Sequence, residues 1–162
     1  MQASWQGHCT DEAATAAFGR HLAERAVAGD CLALVGDMAA GKTTLARSLA
    51  EHLGIDVRQQ FGSPTYTYAN EYAGRSLPMV HIDFYRLADA AAARALGLDD
   101  TLARQDALLV VEWADRGVEL VPPEALWLRL RVDWPHAGRR SWHARGPRAV
   151  GERLLGAAGT SP

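Results

Sequence analysis

The sequence predicts an α/β fold: a three-layer sandwich with a mostly parallel sheet and an antiparallel hairpin at one edge. Three observations predict it. Short apolar runs alternate with segments of helical periodicity along 162 residues, the pattern of helices packed on the faces of a sheet. Two of those runs are followed by a glycine or a carboxylate, at the strand ends where open α/β sheets build their sites. The last third holds two period-two segments joined by a short turn, which reads as a hairpin.

Taken in order, residues 11–28 repeat Ala14, Phe18, Leu22 and Ala26 on one face, with Thr10 as a candidate N-cap and Gly29 as a stop, and so predict a helix. "CLALVG" at 31–36 is a continuous apolar run, as expected of a buried parallel strand. Leu45, Leu49 and Leu53 then recur at helical spacing until Gly54. "FGSPTYTYANEY" at 61–72 follows a Ser-Pro turn signal and is β-prone. "LPMVHIDFYRL" at 77–87 reads as a strand with a polar end at Asp83. Residues 88–104 are Ala-rich and helical in two pieces around Gly97. "ALLVVEW" at 107–113 is the most apolar strand and ends on a carboxylate. "ALWLRLRVDW" and "RRSWHARG" across "PHAG" form the hairpin, and a last helix is placed near 147–157.

Composition narrows the function. Hydrophobic residues are 48% and charged residues 22%, ordinary usage for one globular domain. The expected organisation is a single domain over residues 1–162. A net charge of −2 argues against coating nucleic acid by bulk electrostatics. Cys9 and Cys31 are too few for a disulfide scaffold or a zinc site. With no signal peptide and no apolar run of about 18 residues, the expected location is cytoplasmic, away from membranes.

The strongest signal is "LVGDMAAGKTTLA". Of the seventeen Lys and Arg residues, sixteen are Arg and Lys42 is the only lysine. A lysine ends in a compact point charge that enters a loop of backbone amides where the planar fork of Arg does not. Gly36, Asp37, Met38, Ala39, Ala40, Gly41, Lys42 and Thr43 match GxxxxGK[ST], the phosphate-binding loop, between an apolar strand and a helix as that motif requires. This makes the expected class a P-loop NTPase-like sandwich. Amides of the loop and of the first helical turn, including Thr44, would meet the phosphates. Lys42 would neutralise the β and γ oxygens, and Thr43 would offer its hydroxyl to Mg²⁺.

Such a site also needs a carboxylate near the metal at a strand end. Glu112 is the best candidate. Asp83 closes another strand and could hold a metal-bound water or orient the attacking one. Ser63, Thr65 and Thr67 lie where nucleotide switches sense the γ-phosphate. His81 reads as a packed or hydrogen-bonded residue; the cluster Arg139, Arg140, Arg145 and Arg148 could contact phosphate or RNA or form a solvated edge face, and composition alone favours the solvated face. With no second lysine the chain has no NKxD guanine signature, so adenine is the expected base. It lacks the protein-kinase loops.

Together, "GDMAAGKTT", "SPTYT", "HIDFYRL" and "VVEW" resemble, in order and spacing over roughly residues 10–145, the bacterial tRNA threonylcarbamoyladenosine biosynthesis ATPase family, TsaE, also called YjeE. The resemblance implies ATP and Mg²⁺ as cofactors, weak ATPase activity, and a complex with the TsaD and TsaB proteins that modify adenosine 37 of ANN-decoding tRNAs, with tRNA met indirectly through that complex. It implies that Lys42 and Thr43 bind phosphate and metal, that Glu112 holds Mg²⁺, and that Asp83 and Thr65 assist hydrolysis or sensing. It further implies that Arg139 of "AGRR" reaches the nucleotide and that Thr15 lies near the adenine. The family commonly carries Leu-Gly where this chain has Met38 and Ala39; positive φ at position 39 would cost an alanine about 1 kcal/mol. Two other readings are a small-molecule P-loop kinase and a nucleotide-binding module without catalysis.

Overall fold

The computed structural model describes residues 1–58 and 61–157. Its elements run β1 (Gln2–Cys9), α1 (Glu12–Ala23), β2 (Cys31–Val35), α2 (Lys42–His52), β3 (Ala69–Tyr72), β4 (Met79–Asp83), α3 (Ala90–Ala95), α4 (Leu98–Leu102), β5 (Leu108–Glu112), β6 (Leu126–Asp133), β7 (His136–Pro147) and α5 (Arg148–Leu155). Two 3₁₀ turns, Ala114–Arg116 and Val118–Leu120, follow β5. Among the described residues no helix is long and apolar enough to cross a membrane.

The seven strands form one sheet in the order β1-β7-β6-β2-β5-β4-β3. Its centre is parallel: β6, β2, β5 and β4 run together. Both flanks are antiparallel, through the β6-β7-β1 meander on one side and β3 on the other. Parallel pairing is therefore half of the sheet rather than most of it, and the expected hairpin is not the edge, because β1 pairs outside β7.

Alternation along each strand divides the core. Leu32, Leu34, Leu108, Val110, Leu126, Leu128 and Leu130 face α1, α2 and α5. Ala33, Val35, Val80, Ile82, Leu109 and Val111 face α3, α4 and the 3₁₀ turns. All five residues of each central strand β2, β4 and β5 are buried, and each large apolar side chain so removed from water stabilises the fold by about 1.5–3 kcal/mol.

Several elements differ from expectation for identifiable reasons. Helix α1 starts one residue later because Asp11, not Thr10, caps it, its carboxylate accepting from the Ala14 amide at 2.7 Å. It stops at Ala23, since the chain must turn through Gly29 (φ 89°) to enter β2. Only 69–72 of the 61–72 segment is strand; residues before it are drawn onto Asp83 by hydroxyl bonds. Residues 59 and 60, between the end of α2 and that segment, lie outside the described residues, as do the last residues of the chain from 158. The Ala-rich stretch splits at Gly97 (φ 72°) into α3 and α4, as expected.

Candidate functional site

The site lies where β2, β5 and β4 end side by side. Parallel register sets Leu34 beside Glu112 and Glu112 beside Asp83, so the phosphate-loop motif and both carboxylates leave the sheet along one edge. A cavity of about 530 Å³ opens there. It is lined by Thr15, by Met38 to Thr44, by Ser63, Thr65, Asp83 and Glu112, by Tyr85 and Trp113, and by Arg140, which is thus not the solvated residue that composition suggests.

The loop is a strained backbone held from both sides. Gly36 has φ 149° and Gly41 φ 103°, and a Cβ on Gly36 would collide with the Leu130 carbonyl of β6. Ala39 has φ 63°, so the alanine does occupy the left-handed region that glycine would enter freely. Arg140 braces this turn. Its Nε donates to the Ala40 carbonyl at 2.9 Å and its Nη2 to the Ala39 carbonyl at 3.2 Å. Gly41 begins α2 without a side-chain cap, which leaves the amides of the first turn as the donors facing the cavity.

Lys42 is almost fully buried, at 4% exposure. Its Nζ donates to the carbonyls of Gly36 (2.7 Å) and Asp37 (2.8 Å) and stands 3.9 Å above the centre of the Trp113 ring. Burial draws its pKa below the usual value, and the carboxylates of Glu112, Asp83, Asp115 and Asp37 oppose that shift. Trp113 reaches this position from a left-handed backbone, φ 54°, immediately after the strand, and Tyr85 tilts against its ring at 5.0 Å.

Glu112 is pinned at both oxygens. Oε2 accepts from the Thr43 hydroxyl at 3.0 Å, and Oε1 lies 2.9 Å from His81 Nε2. His81 is fully buried, stacks on Phe61 at 5.1 Å, and among the described residues keeps Nδ1 without a partner. It is thus the packed, hydrogen-bonded histidine that was expected. A hydroxyl and a carboxylate oxygen at one side of a cavity that also holds an ammonium form a hard-oxygen donor set, so these residues fit an oxygen-seeking divalent cation such as Mg²⁺.

Asp83 gathers the 61–68 segment. Oδ2 accepts from Thr65 at 2.7 Å and Ser63 at 3.2 Å, while Oδ1 accepts from the Tyr85 amide at 2.7 Å. The carboxylate therefore shapes a turn and holds a hydroxyl segment at once. Thr67 does not join it; its hydroxyl bonds Asn70 at 2.9 Å. Thr15 is buried at the cavity wall, its hydroxyl on the Asp11 carbonyl at 3.1 Å.

One expected site residue is displaced. Arg139 and Arg140 are neighbours on β7 and point to opposite faces of the sheet. It is Arg140 that turns toward the loop and lines the cavity, whereas Arg139 is exposed on the other face. Alternation alone says that the two differ, not which one faces the loop. Arg140 shares its parity with Trp142 and Ala144, which are buried on the side of α1 and α2, and that side carries the loop.

The family described as threonylcarbamoyl adenosine biosynthesis protein TsaE matches residues 9–141. The chain is 42% identical over 119 residues to the tRNA threonylcarbamoyladenosine biosynthesis protein TsaE of Streptomyces coelicolor, covering 72% of this chain and 76% of that protein. It is 40% identical over 117 residues to the protein of the same name from Bacillus subtilis, covering 72% and 71%. The crystal structure of Bacillus subtilis YdiB superposes with a TM-score of 0.72 at 30% identity, covering 95% of this chain and 90% of that one.

Proposed function

Because this chain belongs to the TsaE family of threonylcarbamoyl adenosine biosynthesis proteins, we propose that it is a slow cytoplasmic ATPase serving that tRNA modification. It binds ATP with Mg²⁺ at the strand-end cavity and acts with TsaD and TsaB, which meet the tRNA. The observation that carries the reading is the convergence of one buried ammonium, one hydroxyl and one carboxylate: Lys42 Nζ on the loop and the 3.0 Å bond from Thr43 to Glu112.

Each residue then has a role its chemistry supports. The open amides at the start of α2 and the Lys42 ammonium bind phosphate oxygens, the first by direction and the second by charge. Thr43 and Glu112 hold the cation, and His81 keeps the Glu112 carboxylate turned toward Thr43. A Mg²⁺ held there would supply positive charge against the charge that develops on the phosphates. Asp83, with Thr65 bonded to it, is positioned to accept a hydrogen bond from an attacking water at the same strand ends. Thr15 lines the wall where a base could rest.

A small-molecule kinase would use the same loop. Phosphate release from ATP by the purified chain, measured with and without added small-molecule acceptors, distinguishes the two. Release of inorganic phosphate irrespective of acceptor supports the ATPase. Phosphate appearing on an acceptor would replace it.

A further inference from the structure

Helices cover one face of the sheet throughout, but only half of the other. On the first face α1 and α5 pack against β1 and β7. On the second, α3, α4 and the 3₁₀ turns pack under β4, β5 and β2, and the outward positions of β6, β7 and β1 are left to solvent. Those positions carry Arg129, Arg131, Arg139 and Arg145, with His8 and His143 between them. Cross-strand register sets Arg129 opposite His143 and Gln6, and Arg131 opposite Ser141 and His8.

Two features separate this face from an ordinary solvated one. Its strands contribute a single carboxylate, Asp133, which already pairs with His8 at 3.6 Å; a second acid, Asp115, stands at the rim. Among the described residues Arg129, Arg131 and Arg145 form no ion pair, as is true of several other arginines of the chain; what sets them apart is that strand alternation and register gather them on one face. Positive charge is thus concentrated and unneutralised on one face of a chain whose net charge is −2. A concave depression of about 470 Å³ between Gln6, His8, Arg129, Arg131 and His143 lies within it. The half-buried indole of Trp127, opposite Arg145 in register, adds a flat apolar surface.

We infer that this β6-β7-β1 face binds the phosphate backbone of RNA, so that the chain touches tRNA itself. Arginine forks suit phosphate oxygens. Alternate residues on one strand stand about 6.8 Å apart, so Arg129 and Arg131 address successive anionic groups of an extended polyanion rather than one small anion. Trp127 and His143 offer planar surfaces to unpaired bases. The identification of the RNA as tRNA rests on the function proposed above. Arg129 pairs with Val35 at the foot of the phosphate loop, yet none of the arginines of this face lines the ATP cavity.

The test is filter binding of the full chain to unmodified tRNA at several salt concentrations between about 50 and 200 mM, with ATP binding titrated on the same preparations. For the wild type, log K against log salt should fall with a slope near −3, as about four neutralised phosphates require. Arg129→Ala/Arg131→Ala should flatten that slope by about 2 and lose at least about ten-fold in affinity at low salt, with ATP affinity unchanged. Arg129→Lys/Arg131→Lys should restore much of the binding, which a folding defect would not allow. Absence of tRNA binding by the wild type, or an unchanged slope in the alanine variant, overturns the inference. So does a variant that keeps its RNA affinity but no longer binds TsaD or TsaB, since the face would then serve an acidic protein surface. A wild-type chain that binds tRNA with this salt slope but does not bind ATP would instead sink the proposed ATPase and leave the RNA face standing.

Discussion

Replacing Lys42 with methionine separates function from stability at the site. Methionine keeps the unbranched stem and most of the volume and removes only the charge and its bonds. In the folded chain, taking an ammonium out of water costs several kcal/mol. Two short bonds to carbonyls, at 2.7 and 2.8 Å, offset about 1.5–3 kcal/mol each. The Trp113 ring at 3.9 Å adds about 1–2 kcal/mol. The carbonyls left behind belong to half-exposed Gly36 and exposed Asp37, where water can replace the lost donor. The terms nearly cancel, so Lys42→Met should change stability by no more than about 2 kcal/mol, a Tm shift below about 8 °C for a domain of this size. ATP should respond differently. Losing two charge-assisted bonds to phosphate oxygens, about 1.5 kcal/mol each at the low end, weakens binding at least about 100-fold. Thermal melts and calorimetric titration with a non-hydrolysable ATP analogue measure both. A melt lowered by more than about 15 °C together with ATP affinity within about three-fold of wild type would refute the reasoning, because Lys42 would then be a structural residue.

Three further outcomes follow from the same geometry. Glu112→Ala should weaken Mg²⁺-dependent nucleotide binding more than metal-free binding, because its carboxylate meets Thr43 on the cation side; equal losses with and without Mg²⁺ in a titration would contradict this. Asp83→Asn should spare binding and slow hydrolysis, since Asp83 holds Thr65 and Ser63 rather than the loop, and single-turnover phosphate release would show it. Ala39→Gly should be nearly neutral: relief of about 1 kcal/mol at φ 63° is offset by about 0.4–1 kcal/mol of added unfolded-state entropy. A urea midpoint displaced by more than about 1 kcal/mol would show that the turn is set by something other than this residue's backbone.

How far the site was legible depended on whether its determinants were local. The loop and Thr43 stand where a strand passes into a helix, Glu112 and Asp83 end strands, the neighbours of each in sequence define it, and the structure brings all of them to one cavity. The central strands were legible because continuous burial needs continuous apolar residues. Strand β1 was not read, although Trp5, Gly7 and Cys9 alternate with exposed Gln6 and His8. Its partner β7 lies at the far end of the chain, no turn signal announces the pairing, and Gly7 looks like a strand breaker. Only the ring of Trp142, against which a Cβ at position 7 would press, explains that glycine. Arg140 is a second case: it shares the face of Trp142 and Ala144, but that this face meets the phosphate loop follows from the sheet order that sets β6 and β7 beside β2. Trp113 is a third: its place over Lys42 needs a left-handed residue directly after β5, which propensity does not suggest for a bulky aromatic. Position alone points to Ser63 and Thr65 as a candidate switch, and what joins them to the site is a long-range bond to Asp83.

The central claim is that this chain spends ATP in the service of tRNA modification and depends on partners to do so. Arg140 is committed to the carbonyls of Ala39 and Ala40, and Arg139 faces away, so neither stands ready to stabilise charge on a transferring phosphoryl group; an arginine so placed can contribute about 10³ to 10⁵ in rate. The most direct measurement is steady-state ATP hydrolysis by the purified chain, alone and with TsaD, TsaB and unmodified tRNA, with formation of threonylcarbamoyladenosine followed in the same reactions. Turnover should be slow for the chain alone and accelerate when all components are present, and both hydrolysis and modification should be lost with Lys42→Met. Fast turnover that ignores the partners, or full modification sustained by the Lys42→Met chain, would contradict it.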